Sequence, residues 1–354
     1  RRVLFRSKAR FERGDVADES QLAELFQRHQ PQAVIHLAAL LSASCEADRA
    51  RAWRVNAHGS YLLLETALRF ACPMVVFTST VASYGGMLPQ ILADDTPQWP
   101  EGLYGVTKVA GERLGNYFHR RHGLDFRCVR LPITISRFAP LGAASALASH
   151  AFISAVREKR FSFPSFPQTP LALIYVEDVL RAIDGLVGAD SQALTRRVYN
   201  LQGMTATAEE IAESIRRRLP DVELRFEPEP AVAKLLASWP GAIDDSAAQR
   251  DWGWRAAYDL EATADDFIRR LKDDPVRPEI PADRRVNQNS RIYMLKDGDQ
   301  TQAITCVKFL ETIPAAVEDL VDGVNSATTA VFYTIWSYTA GAGRDLIVAA
   351  RSEE

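Results

Sequence analysis

No stretch of the 354-residue sequence reaches the roughly 18 consecutive apolar residues that a membrane-spanning helix needs. No secretory signal is evident either. Cysteine is scarce: the four present (Cys45, Cys72, Cys128 and Cys306) show neither metal-binding nor disulfide spacing, which suits a reducing compartment. A cytoplasmic location is the expectation, with no metal site. Neither sign of charge dominates, the formal net charge being −3, so nothing points to nucleic acid or a membrane surface as partner. What is present is length enough for a full core and for two domains.

The most informative stretch runs from Met74 to Glu112. Met74-Val75-Val76-Phe77 is a continuous apolar run, as in a strand buried on both faces of a parallel sheet. It ends in hydroxyls, Thr78-Ser79-Thr80, and ligands of open α/β sheets bind beyond the carboxyl ends of strands. A turn-rich loop follows, then Tyr104-Gly105-Val106-Thr107-Lys108 opens a helical pattern. Tyr104 and Lys108 share one face of that helix. A cation beside a phenol favours the phenolate, and phenol, ammonium and hydroxyl together can move a proton on or off a carbinol oxygen.

Strand, hydroxyls, Gly-bearing loop and Tyr-x-x-x-Lys in this order resemble the extended short-chain dehydrogenase/reductases, the NAD-dependent epimerase/dehydratase group. The resemblance implies an α/β, doubly wound Rossmann-type sheet with a small α/β substrate lobe, and Thr80, Tyr104 and Lys108 as catalytic residues. Gly14-Asp15-Val16 resembles the adenine-contacting position, here Asp15 and Val16. His36-Leu37-Ala38-Ala39 resembles the strand lining the nicotinamide side, through Leu37, Ala38 and Ala39. Pro132, Ile133 and Thr134 resemble the stretch facing the nicotinamide carboxamide. Asn56 resembles an asparagine that holds the site's framework, though a solvated or capping asparagine fits its position equally. His36, inside an apolar strand, reads as structural. The implied cofactor is NAD, with NADP not excluded, and the expected assembly is a homodimer acting on a small-molecule substrate.

Segments such as Ser238-Trp239-Pro240, Asp251-Trp252-Gly253-Trp254 and Tyr258-Asp259-Leu260 are similar to short-chain-type L-threonine 3-dehydrogenases. Tyr84 to Pro89 and Asp94-Asp95-Thr96-Pro97 are similar to D-erythronate dehydrogenases. The Gly-rich, Thr-Thr-bearing loop of the threonine enzymes is absent after Pro132. The reaction implied is hydride transfer from a secondary alcohol of a small hydroxy acid or hydroxy amino acid, with Ser42, and Thr80 and Tyr104 beside it, on the substrate. A nucleotide-sugar epimerase or dehydratase, or a non-catalytic NAD(P)-binding protein, are the other readings. Trp252 and Trp254 read as core.

A dinucleotide fold also needs a first strand and a Gly-rich turn that seats the pyrophosphate. No such turn precedes Asp15, so residues 8–274 are expected to be the family domain without its first βα unit. The edge at Val34 to Leu37 is then expected to lie open. The substrate lobe is expected mainly at 133–170 and 197–270, a Pro-rich linker at 275–285, and an unassigned segment at 286–350. Leu4 to Ser7 and Arg351 to Glu354 can be encoded by reverse-complementary strings, so residues 1–7 and 351–354 are expected to be translated sequencing adapter. Locally, Ser20 is the expected cap of a helix ending at Pro31, residues 49–70 one long helix, and Thr207 with Glu210 a capping box.

Overall fold

The structure is a computed structural model. It describes residues 9–86, 88–137, 139 and 143–273, and as backbone the strands at 289–297, 300–309, 335–337 and 345–347. The expected linker at 275–285 lies outside the described residues. In chain order the elements begin with β1 (Ala9–Arg13), α1 (Glu19–His29), β2 (Val34–His36), α2 (Ser42–Ala47), α3 (Arg49–Ala52), α4 (Gly59–Arg69) and β3 (Met74–Thr80). Then come β4 (Ile91–Leu92), α5 (Leu103–His122), β5 (Asp125–Leu131), β6 (Ile133–Ile135), α6 (Leu147–Arg157), β7 (Arg160–Phe163), β8 (Pro170–Tyr175) and α7 (Val176–Gly188). The rest are β9 (Val198–Asn200), β10 (Met204–Thr207), α8 (Ala208–Arg218), β11 (Glu223–Phe226), α9 (Pro230–Ala237), β12 (Ala242–Ile243), α10 (Ser246–Trp252), α11 (Leu260–Asp273), β13 (Asn289–Asp297), β14 (Gln300–Phe309), β15 (Ile335–Ser337) and β16 (Asp345–Ile347).

The chain divides into two compact units. The first comprises Arg1–Ser83, Glu101–Cys128 and Glu279–Glu354; the second comprises Tyr84–Pro100 and Val129–Pro278. Strands of the first unit run in the order β1-β13-β14-β2-β3-β5. β2 and β3 are parallel, with Val34 opposite Val75 and His36 opposite Phe77. The edge of β2 that was expected to be open is occupied: β14 runs parallel to it, with Ile304 opposite Val34 and Cys306 opposite His36. β13 and β14 form an antiparallel hairpin closing at Asp297 opposite Gln300. The physical reason is in the segment itself, since Ile304, Thr305 and Val307 are β-branched residues favoured in strands.

Two local readings are corrected. The cap of α1 is Asp18, whose carboxylate accepts the Gln21 backbone N–H at 3.1 Å. A carboxylate at that place also faces the positive end of the helix, an advantage the Ser20 hydroxyl lacks. The stretch 49–70 is three elements, because Trp53–His58 widens into a π-helical turn between α3 and α4. Such turns insert a residue into a helix and redirect the side chains around it.

In the second unit β6, β8 and β10 form a small sheet, β6 parallel and β10 antiparallel to β8. Its core gathers Phe152, Phe163, Leu173, Tyr175, Ile211 and Phe267. The Thr207–Glu210 capping box is formed. Trp254 is buried and its indole N–H donates to Asp245 Oδ2 at 2.8 Å, while Trp252 packs edge-on against Tyr199.

In the first unit, α5 lies tightly on the sheet because it carries glycine where it crosses aromatic rings. A Cβ at Gly111 would stand 2.5 Å from Phe77, and one at Gly115 would stand 2.1 Å from Phe126. Both rings are buried, so neither can swing aside cheaply. Alanine would gain up to about 1 kcal/mol in helix propensity, but overpacking costs about 1–3 kcal/mol. The clash wins, and Gly115→Ala is expected to lower the urea midpoint by the equivalent of about 1 kcal/mol or more. An unchanged or raised midpoint would show that α5 can lift off the sheet freely.

Candidate active site

The candidate site of the first unit is built on the carboxyl ends of β2 and β3 and on the first turns of α5. Helix α5 begins after Gly102, which is extended and offers no side chain for capping. The exposed Leu103 N–H is taken instead by Glu46 Oε1 at 2.9 Å, a carboxylate lent by α2 to the positive end of the helix. This fixes the turn that carries Tyr104. One turn on, Thr107 donates its hydroxyl back to the Tyr104 carbonyl at 2.8 Å.

Lys108 is 3% exposed. Its ammonium donates to the Thr78 carbonyl at 2.8 Å, lies 4.8 Å from the Phe77 ring centre and 5.6 Å from that of Tyr104. The structure therefore brings Tyr104 and Lys108 together, with the β3 end beneath the ammonium. Thr80 is the last residue of that strand, and its hydroxyl oxygen accepts the Ala82 N–H at 3.2 Å, leaving its proton to be donated. Burial lowers the Lys108 pKa from the ordinary 10.5 to about 8, opposed by the neighbouring Cys128, Cys45 and Glu112. Glu112 is itself buried and accepts the Ser79 hydroxyl at 2.5 Å.

Asn56 sits in the π turn and is buried. Its Oδ1 accepts the Leu40 N–H at 2.7 Å, and its Nδ2 donates to the Leu40 carbonyl at 3.0 Å and to Thr107 Oγ1 at 3.1 Å. Of the two openings left by the sequence, the solvated one is excluded by this burial. The amide ties the chain after β2 to the first turn of α5. Leu37 and Ala39 are part-exposed just beyond β2, and Ala38 is buried between them.

The other expected residues are held as follows. Asp15 accepts the Ala17 N–H and is paired with Arg54 at 2.7 Å, while the Val16 side chain is buried against Gly59. Ser42 is exposed at the start of α2. Pro132, Ile133 and Thr134 belong to the second unit, where Ile133 pairs with Leu173 and the Thr134 hydroxyl donates to the Pro132 carbonyl at 3.3 Å. Among the described residues no group of histidine, cysteine and carboxylate side chains could hold a metal ion. No helix among them is long and apolar enough to cross a membrane.

Sequence reasoning missed Thr107, Ser60 and Glu112. Glu112 continues the Tyr104–Lys108 stripe at the same four-residue step, a signal that was available. Thr107 and Ser60 carry none, because the partners that tie them into the site, Asn56 and His36, are distant in the chain.

Fold and site together define a class: a Rossmann-type α/β protein of the short-chain kind with a Tyr-x-x-x-Lys helix beside a hydroxyl-tipped strand. The chain belongs to the NAD dependent epimerase/dehydratase family, whose sequence profile matches residues 2–201. It is 35% identical over 248 residues to the mitochondrial L-threonine 3-dehydrogenase of Bos taurus, covering 70% of this chain and 66% of that one. It is also 35% identical over 256 residues to an uncharacterized epimerase/dehydratase of Staphylococcus saprophyticus, covering 71% and 79%. Among solved structures it is similar to the L-threonine dehydrogenase of Clostridium difficile, with a TM-score of 0.69, 33% identity, and 73% and 82% of the two chains covered. The holo form of a GalE-like L-threonine dehydrogenase from Cupriavidus necator matches with a TM-score of 0.69 and 33% identity, covering 73% and 84%. The chain thus spans just under two thirds of the bovine relative's length.

The lowered Lys108 pKa carries a stability consequence with a definite sign. Between pH 8 and 10.5 the unfolded chain keeps a proton that the folded chain has shed, so wild-type stability gains as pH rises through that window. Lys108→Met removes the term. The wild type is expected to gain on the variant by about 3 kcal/mol from pH 8 to pH 10.5, at roughly 1.4 kcal/mol per unit. Paired urea melts read the difference, and parallel pH curves would mean that the ammonium is well solvated.

Proposed function

We propose that the chain is an NAD-dependent oxidoreductase that takes hydride from a secondary alcohol of a small hydroxy acid or hydroxy amino acid, threonine-like or erythronate-like. The observation that carries this is the buried Lys108 ammonium, anchored on the Thr78 carbonyl beside the Tyr104 ring. A cation there favours the phenolate and so makes Tyr104 a base for the alcohol proton. Thr80, with its hydroxyl proton free, orients the substrate oxygen, and Ser42 is proposed for the acid group. The family's description and the threonine dehydrogenase relatives support the reaction class.

NAD, when bound, accepts the hydride. The residues present fit its nicotinamide half: the chain beyond β2 offers only small side chains at Ala38 and Ala39, and Lys108 is a fixed cation able to hold ribose hydroxyls. Leu37, Ala38, Ala39, Asn56, Tyr104 and Lys108 are the proposed contacts on that side. Asp15 and Val16 are proposed for the adenine, and Pro132, Ile133 and Thr134 for the carboxamide, on the resemblance alone. NAD is preferred over NADP on the family description.

We further propose a homodimer through the α4 and α5 side of the first unit, where Trp53 (53% exposed), Tyr61, Val106 and Tyr117 (52%) stay in contact with water. A metagenomic L-threonine 3-dehydrogenase, 28% identical, is described as monomeric, so light scattering on the purified chain is the direct measurement. A cytoplasmic location is proposed from the buried thiols of Cys45, Cys72 and Cys128, none of them in a disulfide, although the bovine relative is mitochondrial.

Turnover should be followed by nicotinamide absorbance at millimolar NAD, in an enzyme completed with a first strand and Gly-rich turn, with L-threonine, D-erythronate and UDP-sugars as substrates. Reduction with one of the small acids is expected, and Tyr104→Phe should lower turnover about 10²–10⁴-fold with the fold intact. Turnover with UDP-sugars alone, or an unimpaired Tyr104→Phe enzyme, would sink the proposal.

A further inference from the structure

His36 has no place in the chemistry proposed above, yet it is the residue at which the site's hydrogen bonds meet. It is buried in β2, with Nε2 2.9 Å from Ser60 Oγ. Ser60 Oγ also lies 2.5 Å from the Asn56 carbonyl, which can only accept. A hydroxyl has one proton, and here it goes to Asn56, so the hydrogen between His36 and Ser60 must come from the imidazole. That assigns the Nε2–H tautomer. Nδ1 then carries a bare lone pair, and it has no partner among the described residues. A proton there would be an orphan donor in an apolar wall, 5.5 Å from ring centre to ring centre with Phe77. Burial, with the Lys108 charge nearby, lowers the His36 pKa to about 3, in agreement with a neutral ring.

Two arms leave this residue and both end on α5. From the ring, the path runs through Ser60 to the Asn56 carbonyl, from the Asn56 amide to Thr107 Oγ1, and from Thr107 to the Tyr104 carbonyl. From the His36 carbonyl, it runs to the Thr78 hydroxyl at 3.3 Å, and from the Thr78 carbonyl to the Lys108 ammonium. Every link lies in the first unit. The Ser60 link matters most, because it clasps the π turn that presents the Asn56 amide. A π turn keeps i→i−5 backbone bonds, here the Gly59 N–H on the Arg54 carbonyl, and the Ser60 hydroxyl on the Asn56 carbonyl adds a side-chain tie to it.

We propose that His36 is a positioning residue for alcohol oxidation: through Ser60 it fixes the π turn bearing Asn56, and through Asn56 and Thr107 the turn of α5 bearing Tyr104. What is positioned rests on the function proposed above; the bonded path does not.

The test uses three single variants of the full chain. His36→Gln puts an amide N–H where Nε2–H stood. His36→Leu keeps bulk without a donor, and Ser60→Ala cuts the next link. Loss of such supporting bonds typically costs about 10–100-fold, so His36→Leu and Ser60→Ala should each lower kcat at least about 10-fold, with KM for the alcohol little changed. His36→Gln should restore most of the rate, and the double variant His36→Leu/Ser60→Ala should be no worse than the poorer single one. A second readout needs no turnover: the Tyr104 phenol titration, taken by ultraviolet difference against the matching Tyr104→Phe protein. It should move upward in His36→Leu and Ser60→Ala and stay in place in His36→Gln. An unchanged kcat and titration in His36→Leu, or equal loss in all three variants, would overturn the proposal and leave His36 a packing residue. If no alcohol is turned over by the wild type, the reaction assigned above fails, and the titration still decides the role of His36.

Discussion

A single ammonium group organises this protein's candidate site. Lys108 has been taken almost wholly out of water, a costly transfer for a charge unless fixed dipoles replace the lost hydration. Here the Thr78 carbonyl accepts a hydrogen bond from it, and two aromatic faces, Phe77 and Tyr104, lie within reach of its charge. Cys45, Cys128 and Glu112 add a field that favours the cation. The compensation is partial, since the pKa still settles near 8, well below the ordinary value. A cation with no carboxylate bonded directly to it keeps a field that can favour a phenolate beside it. An ammonium fully satisfied by a carboxylate would have little field left to stabilise a phenolate.

The surrounding structure is what keeps that ammonium in place. Its reach to Thr78 requires α5 to lie close to the sheet, which the missing side chains of Gly111 and Gly115 permit. The height of the helix along β3 is set at its first turn, by Glu46 on the Leu103 N–H and by Asn56 on Thr107. Asn56 reaches Thr107 from within the π turn. Backbone irregularity, glycine placement and a remote carboxylate thus serve one distance, that between Nζ and the end of β3.

Much of this was legible in the sequence, and the boundary has a physical basis. The Tyr104–Lys108 face, the buried run of β3 and the Thr207–Glu210 box depend on residues a few positions apart, where helix and strand periodicity rule. Asp18 capping in place of Ser20 is decided by which side chain turns toward the free N–H, and two good candidates sat close together. The π turn was invisible because nothing in Trp53–His58 forbids an ordinary helix; the widening answers bonds to Leu40, Ser60 and Thr107. The pairing of β14 with β2 joins residues about 270 positions apart by the register Ile304 to Val34, and no local pattern encodes such a pairing.

His36 and Lys108 are two buried bases of one unit that rest in opposite states. Both are buried, and burial disfavours the charged form of each. The lysine begins from a much higher intrinsic value and has an acceptor waiting, so at neutral pH it stays charged. The imidazole begins lower, is already committed as a donor through Nε2, and feels the ammonium as a like charge, so it stays neutral. Neutrality has a cost in acid: between pH 6.5 and 3 the unfolded chain takes up a proton that His36 refuses while folded, and stability falls with pH across that window. A leucine at this position would escape that loss. It would also remove the donor on which the Ser60 clasp depends, so acid resistance and the shape of the π turn pull this residue in opposite directions.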